Sequence, residues 1–273
     1  MTDPFDSNWR QELLTVAIQA AHAAGNIHLQ LRTEPLNVRS KSHMADLVTA
    51  VDVAAEKEIA GILRRATPEV SVVGEEGTHA GGEGVQVPDE GWLVDPLDGT
   101  QNYVFGLPFY SVSIAYVRGG QVQLGVIHDA VHGETFTAVH EDGSFLNGGR
   151  LRVSARATLD APALLTTGFS RQNADDPAAL KPFLESVRRG LPVRRLSSSA
   201  LCLAYIAAGR IDAYWDAKLM PWDTAAGWLM VQEAGGTLSD YRGRPYTLHG
   251  PMLASNGLLH REMLELIGVA GAQ

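Results

Sequence analysis

The chain has 273 residues, 45% of them hydrophobic and 19% charged, a composition that fits one large globular unit or two closely packed ones and excludes a mainly disordered chain. Its formal net charge of −9 argues against broad contact with nucleic acid or an anionic membrane, since both draw affinity from clustered Lys and Arg. One cysteine, Cys202, excludes an intrachain disulfide and suits a reducing cytoplasm, and no stretch reaches the roughly 20 apolar residues that span a bilayer. The expectation is a soluble, unexported, cytoplasmic protein without a signal segment.

In chain order, apolar residues at helical spacing predict a helix from Trp9 to Leu31 and a second from Asp52, with acids in its first turns and its end before Pro68. Strand-like runs follow at Val70–Val73, Trp92–Asp95, Ser111–Val117, Val122–Ile127 and Glu134–Val139, which predicts a mostly antiparallel sheet behind two helices. The glycine-rich stretch 77–91 reads as a mobile loop. Beyond it come a helix at 177–189, a strand near Val193–Leu196, a helix at 199–209, a strand at 211–216, a helix at 222–234 and a last helix around 257–267. Such alternation predicts α/β layering with both sheet faces covered.

Acids gather at the ends of these segments. Asp46 precedes the second helix, Glu75 and Glu76 close "VSVVG", Asp95 closes "GWLV", Asp98 follows in the turn of "VDPLDGT", and Asp223 opens a helix in "PWDTAAGW". Each alone reads as a cap or a turn residue. Together, so many carboxylates with few side-chain cations would repel one another unless hard divalent cations sat among them, and an all-oxygen donor set points to Mg²⁺, with Mn²⁺ or Ca²⁺ as other occupants. Pro96 restricts Asp95 to extended geometry, so the turn presents two carboxylates and a carbonyl to one side. An EF-hand is excluded because Leu97 and Gly99 stand where it needs oxygen side chains. Nucleotide-loop, dinucleotide and serine-hydrolase motifs are absent. His128 and His132 fall on strand and turn, so they share no helix face for metal, and Cys202 reads as a buried core thiol.

Four blocks, "KSHMADLVTAVD", "VVGEEG", "WLVDPLDGTQNYVFGLPFYSVSIA" and "PWDTAAGWLMVQEAGG", occur in this order across nearly the whole chain, which resembles the inositol monophosphatase family of lithium-sensitive, Mg²⁺-dependent phosphatases. The resemblance implies an α/β (α+β) fold, a layered α/β/α/β/α sandwich, with an N-terminal part at 1–145 carrying most metal ligands and a C-terminal part at 146–273 carrying Asp223 and the specificity residues. It implies hydrolysis of a small phosphorylated polyol, inositol-1-phosphate first, by metal-activated water. Fructose 1,6-bisphosphate, 3′-phosphoadenosine 5′-phosphate, histidinol phosphate or a broad range are the other substrates, and a regulatory binding role on the same scaffold is the non-enzymatic one.

By the same resemblance, two to three Mg²⁺ are expected, with Mn²⁺ as a substitute and Li⁺ as an inhibitor. Glu75, Asp95, Leu97 (by its carbonyl), Asp98 and Asp223 are the implied metal ligands. Thr100, Glu75 and Asp46 are the implied catalytic residues, Thr100 orienting the attacking water and Asp46 lying close by with Glu76. Asp98, Gly99, Thr100, Ser198, Ser199, Asp216 and Asp223 are expected to face the substrate, the amides of Gly99 and Thr100 meeting the phosphate. Lys41 matches a family lysine near the metal loop. A homodimer is expected, with no direct nucleic-acid contact and no membrane. The chain departs from the family around "RRLSSSALC", where Ser197 replaces a usual glycine, Ser199 an alanine and Cys202 an aspartate, and at Asp216, which is one methylene shorter than the usual glutamate.

Overall fold

In the computed structural model, the described residues are 7–32, 39–40, 47–77, 85–159, 162–169 and 177–268. Helix α1 (Ser7–Leu31) is followed by the short strands β1 (Arg39–Ser40) and β2 (Leu47–Val48) and by α2 (Ala50–Ala66). A seven-stranded sheet comes next, in the order β3 (Ser71–Gly74), β4 (Glu90–Asp98), β5 (Ser111–Arg118), β6 (Gln121–Asp129), β7 (Glu134–Val139), β8 (Gly143–Leu146) and β9 (Gly149–Arg150), with α3 (Thr100–Val104) inserted after β4. Only the β3–β4 pair is parallel.

The remaining strands form a five-stranded sheet in the order β11-β10-β12-β14-β13. It comprises β10 (Leu165–Thr167), β11 (Val193–Arg194), β12 (Ala213–Leu219), β13 (Thr237–Ser239) and β14 (Gly250–Ser255). The helices of this part are α4 (Pro177–Arg188), α5 (Ser199–Ala207), α6 (Pro221–Glu233) and α7 (His260–Ile267).

Alternation along β5 explains how the layers stack. Val112, Ile114 and Tyr116 join a core with Ala17, Ala21 and Ala24 of α1 and Ala55, Ile59 and Leu63 of α2, while Ala115 and Val117 face a second core built by α5 and α6. The far side of α5 and α6 meets Tyr214 of β12 and Met252 and Ala254 of β14. Behind that sheet, Trp215 and Leu253 pack on Met263, Leu266 and Ile267 of α7, with Phe183 of α4. The layers run helix, sheet, helix, sheet, helix, as the resemblance implied.

Packing between the seven-stranded sheet and α6 is close enough to demand glycine at position 125, where an added Cβ would lie 2.7 Å from the Ala226 Cα. Gly125→Ala is expected to lower stability by about 1–3 kcal/mol, read from the denaturant midpoint.

Some elements differ from expectation. Val70–Val73 is Ser71–Gly74, and β4 runs on to Asp98, so the "VDPLDGT" carboxylates lie on an irregular strand end. Asp95 pairs with Ser113 and Asp98 with Ser111, three steps against two, and this bulge turns both acids toward one side. Of the 77–91 loop, residues 78–84 lie outside the described residues, as do Lys41 and Asp46. Among the described residues no helix is long and apolar enough to cross a membrane.

Candidate active site

The site forms where the end of β4, the start of α3, the starts of α5 and α6 and the end of β12 meet. Asp95 is buried and its Oδ1 accepts the Leu97 N–H at 3.0 Å, so the carboxylate folds back onto its own turn. Burial pushes its pKa well above the usual carboxylate range, and the negative charges of Glu75, Asp98 and Asp223 push it further. Asp223, at the start of α6, accepts the Met220 N–H at 2.8 Å and is likewise held well above the ordinary range, by burial first and then by Glu75. These mutual influences bring Glu75, Asp95, Asp98 and Asp223 into one cluster.

Asp98 has a second task. Its Oδ1 accepts the Ser199 N–H at 2.9 Å, its Oδ2 accepts the Ala200 N–H at 3.0 Å, and the Ser198 hydroxyl donates to Oδ2 as well. An acid from the first sheet thus caps α5, whose own N-cap Ser198 makes no side-chain cap. Burial lifts its pKa to about 6, with those three hydrogen bonds pulling the other way. Gly99 sits beside it at φ 95°, and an added Cβ would meet the Phe109 and Ser197 carbonyls at 3.1 and 3.2 Å. Asn102 fastens the same region by donating to the Phe109 and Leu196 carbonyls, each at 2.7 Å.

A buried carboxylate that accepts three hydrogen bonds stands at the first turn of α2. Asp52 is buried, and its Oδ2 accepts the Thr49 N–H at 2.9 Å and the Thr49 hydroxyl at 2.6 Å, a capping box that fixes the carboxylate. Its Oδ1 accepts the Thr100 hydroxyl at 3.0 Å. The Thr100 Oγ1 also lies 3.0 Å from the Leu97 carbonyl, so one hydroxyl proton is shared between two acceptors. Burial raises the Asp52 pKa against the pull of these bonds. The sequence reading missed Asp52; its signal was the Thr49-x-x-Asp52 spacing, which reads as an ordinary helix start.

Glu75 follows β3 and is positioned through its neighbour. The Glu76 N–H donates to Glu56 Oε2 at 2.6 Å, and a Cβ on Gly74 or Gly77 would come within 2.4 or 2.5 Å of the Glu56 carboxylate. Glu56 of α2 thereby grips the turn that carries Glu75, another residue missed from sequence.

Glu75, Gly99 and Thr100 border a cavity of about 210 Å³ that is also lined by Ser198, Ser199, Asp216, Tyr214, Phe169 and Arg195. Of the residues expected to face a substrate, Asp98 and Asp223 lie outside its lining, Asp98 with both oxygens engaged by α5. Asp216 is buried with a pKa raised to about 6, chiefly by burial; it accepts the Lys218 N–H at 3.0 Å and the Tyr214 hydroxyl at 3.3 Å. The Tyr214 hydroxyl also meets Ser199 Oγ at 2.9 Å. Larger clefts of about 730 and 810 Å³ lie away from the acid cluster, around Arg242 and around Arg189. As expected, His128 and His132 lie on β6 and in the turn after it, and Cys202 is buried, its pKa raised to about 12 by that burial.

The donor set suits a hard cation: oxygens only, the three charges that act on Asp95 all negative, and the Leu97 carbonyl on the same turn. Among the described residues no three His, Cys, Asp or Glu side chains are gathered tightly enough to enclose an ion by themselves.

Residues 9–269 match the model of the inositol monophosphatase family. The chain is 42% identical to the Nus factor SuhB of Pseudomonas aeruginosa, over 94% of this chain and 96% of that one. It is 37% identical to the fructose-1,6-bisphosphatase/inositol-1-monophosphatase of Thermotoga maritima, over 85% and 86%. Its fold superposes on the extragenic suppressor protein suhB of Bartonella henselae with a TM-score of 0.86 at 35% identity, covering 94% of this chain and 98% of that one. On the family match and these relatives, the chain belongs to the inositol monophosphatase family.

Proposed function

We propose that the chain is a Mg²⁺-dependent phosphomonoesterase acting on a small phosphorylated polyol, inositol-1-phosphate first. The observation that carries this reading is the Thr100–Asp52 pair standing beside a buried, mutually repelling carboxylate cluster. Glu75, Asp95, the Leu97 carbonyl, Asp98 and Asp223 would hold two or three ions, with Mn²⁺ as a substitute. Bound there, Mg²⁺ supplies positive charge to the phosphoryl oxygens and makes a water more acidic.

The chain's own groups do the rest. Thr100 donates its proton toward Asp52, which leaves its lone pairs to accept a proton from the attacking water, and Asp52 is the carboxylate toward which that proton moves. Thr49 keeps Asp52 aimed. The amides of Gly99 and Thr100 face the phosphate. Ser198, Ser199 and Asp216 meet the substrate's hydroxyls, the last tied to Tyr214.

The test is phosphate release from inositol-1-phosphate, fructose 1,6-bisphosphate, 3′-phosphoadenosine 5′-phosphate and histidinol phosphate, with Mg²⁺ or Mn²⁺, with added Li⁺ and in excess chelator. Release that depends on Mg²⁺, falls with Li⁺ and ranks inositol-1-phosphate first is expected; full activity in chelator sinks the reading. Asp216→Glu in the same panel is expected to change the substrate ranking, and an unchanged ranking removes Asp216 from the specificity residues. By the same family likeness we expect a cytoplasmic homodimer, to be checked by sedimentation.

A second reading is favoured by the relatives that carry the name Nus factor. The chain would then also bind a protein of the transcription apparatus, a protein partner being a better match than RNA for a net charge of −9. Co-purification that survives loss of phosphatase activity supports it, and co-purification that needs RNA counts against it.

A further inference from the structure

We infer that His28 is a positioning residue for the acidic turn: it holds the Pro96–Leu97 peptide in the plane that aims the Leu97 N–H at Asp95. The inference rests on the phosphatase reading of that turn.

His28 lies near the end of α1 and is fully buried, at 0% exposure. Its Nε2 stands 2.9 Å from the Pro96 carbonyl oxygen. A carbonyl only accepts, so Nε2 carries the proton and donates it. Nδ1 is buried and has no partner among the described residues. The ring is held edge-on by Tyr103 and Tyr110, at centroid distances of 6.0 and 5.9 Å, and the Tyr103 hydroxyl donates to the His28 carbonyl at 2.8 Å. The imidazole is therefore fixed in place and in tautomer.

What it holds is a rigid plate. The peptide bond between Pro96 and Leu97 is planar, so its C=O and N–H turn together. The C=O end is held by His28, and the N–H end donates to Asp95 Oδ1 at 3.0 Å. The next carbonyl along, that of Leu97, receives the Thr100 hydroxyl at 3.0 Å. One donor on α1 thus sets the direction of the Asp95 carboxylate and, through the next residue, of the oxygen that Thr100 and a cation would share. Packing alone does not account for this side chain, because an apolar residue would fill the space without burying an unpartnered nitrogen. The hydrogen bond its ring makes to the Pro96 carbonyl falls between two of the acids.

The test compares His28→Leu, which removes the donor at similar volume, with His28→Gln, whose amide nitrogen stands as many bonds from Cβ as Nε2 does. Loss of a group that orients a ligand typically costs 10- to 100-fold, so His28→Leu is expected to weaken Mg²⁺ affinity and lower kcat by about that factor with KM little changed, and His28→Gln to recover most of both. The readout independent of activity is nuclear magnetic resonance: the Leu97 amide proton shifts in His28→Leu and returns in His28→Gln, and the wild-type imidazole is protonated on Nε2 alone. An unmoved Leu97 amide in His28→Leu, a wild-type ring protonated on Nδ1, or His28→Gln failing as badly as His28→Leu would overturn the inference. If wild type neither binds Mg²⁺ nor releases phosphate, the phosphatase reading fails, and the Leu97 amide still decides the role of His28. Should His28→Leu not fold, the wild-type imidazole spectrum and His28→Gln decide it.

Discussion

Asp95→Asn is expected to cut Mg²⁺-dependent phosphate release by about a thousandfold while raising the melting temperature of the metal-free protein. The amide oxygen still accepts the Leu97 N–H, so the turn keeps its hydrogen bond; what disappears is a negative charge pressed against Glu75, Asp98 and Asp223. The folded-state pKa values of Asp95, Asp98 and Asp223 are raised above the unfolded value, so the folded chain holds more protons than the unfolded one in between. Stability from these groups is full below the unfolded pKa and is lost as pH rises through the folded ones, for Asp98 at about 6. Without metal the repulsion is expressed as pH rises through those folded-state values, and relieving it is expected to raise the melting temperature, by roughly 2–4 °C for each kcal/mol in a chain of this size.

Mg²⁺ should reverse the order by stabilising the wild type more than the variant. His28, His128 and His260, held down to about 4 by burial, act in the opposite sense and lose stability only as pH falls from their ordinary 6.5 toward 4, so a calorimetric scan at pH 8 avoids them. A variant that melts below wild type in chelator would show that the Asp95 charge supports the fold instead of opposing it.

Thr100→Val is the second large effect. Valine keeps the shape and removes both the donor to Asp52 and the acceptor for the attacking water. A loss of about 10²–10⁴ in kcat with KM within a few-fold is expected, the usual size of a general-base contribution. Single-turnover phosphate release separates this from slow product departure, and kcat left near the wild-type value would remove the Thr100–Asp52 pair from the path of the water's proton.

Residues that repeat with the period of their own element were legible in sequence. Val53, Ile59, Ile62 and Leu63 are the apolar set that predicts α2, of which Ile59 and Leu63 are buried and Val53 is exposed, and Ser111 to Val117 alternates between two cores, so α2 and β5 were found. Strands β10 and β13 have only three residues each and owe their existence to β12 and β14, which sequence pattern does not register.

The acid cluster was legible by type, since carboxylates at strand ends and helix starts repeat the same chemistry. Its positioning was not. Asp52 looked like a first-turn acid because its capping role is local and its bond to Thr100 spans 48 positions. Glu56, Asn102 and His28 act by hydrogen bonds to backbone atoms of other segments, and neither residue type nor spacing marks such bonds. Asp46, expected near the site, lies outside the described residues, and the carboxylate found beside Thr100 is Asp52.

Asp98 receives three hydrogen bonds from the start of α5, on the far side of a chain separation of about a hundred residues. The segment that lines the cavity is therefore also the one whose hydrogen bonds make Asp98 more acidic, against the larger upward push of burial. The two cannot be adjusted separately: a replacement at 197–199 that reshapes the cavity but swings an amide away from Asp98 leaves that carboxylate with a less stable charge. Ser197, held at φ 58°, is the residue of this turn that takes up the strain of that arrangement.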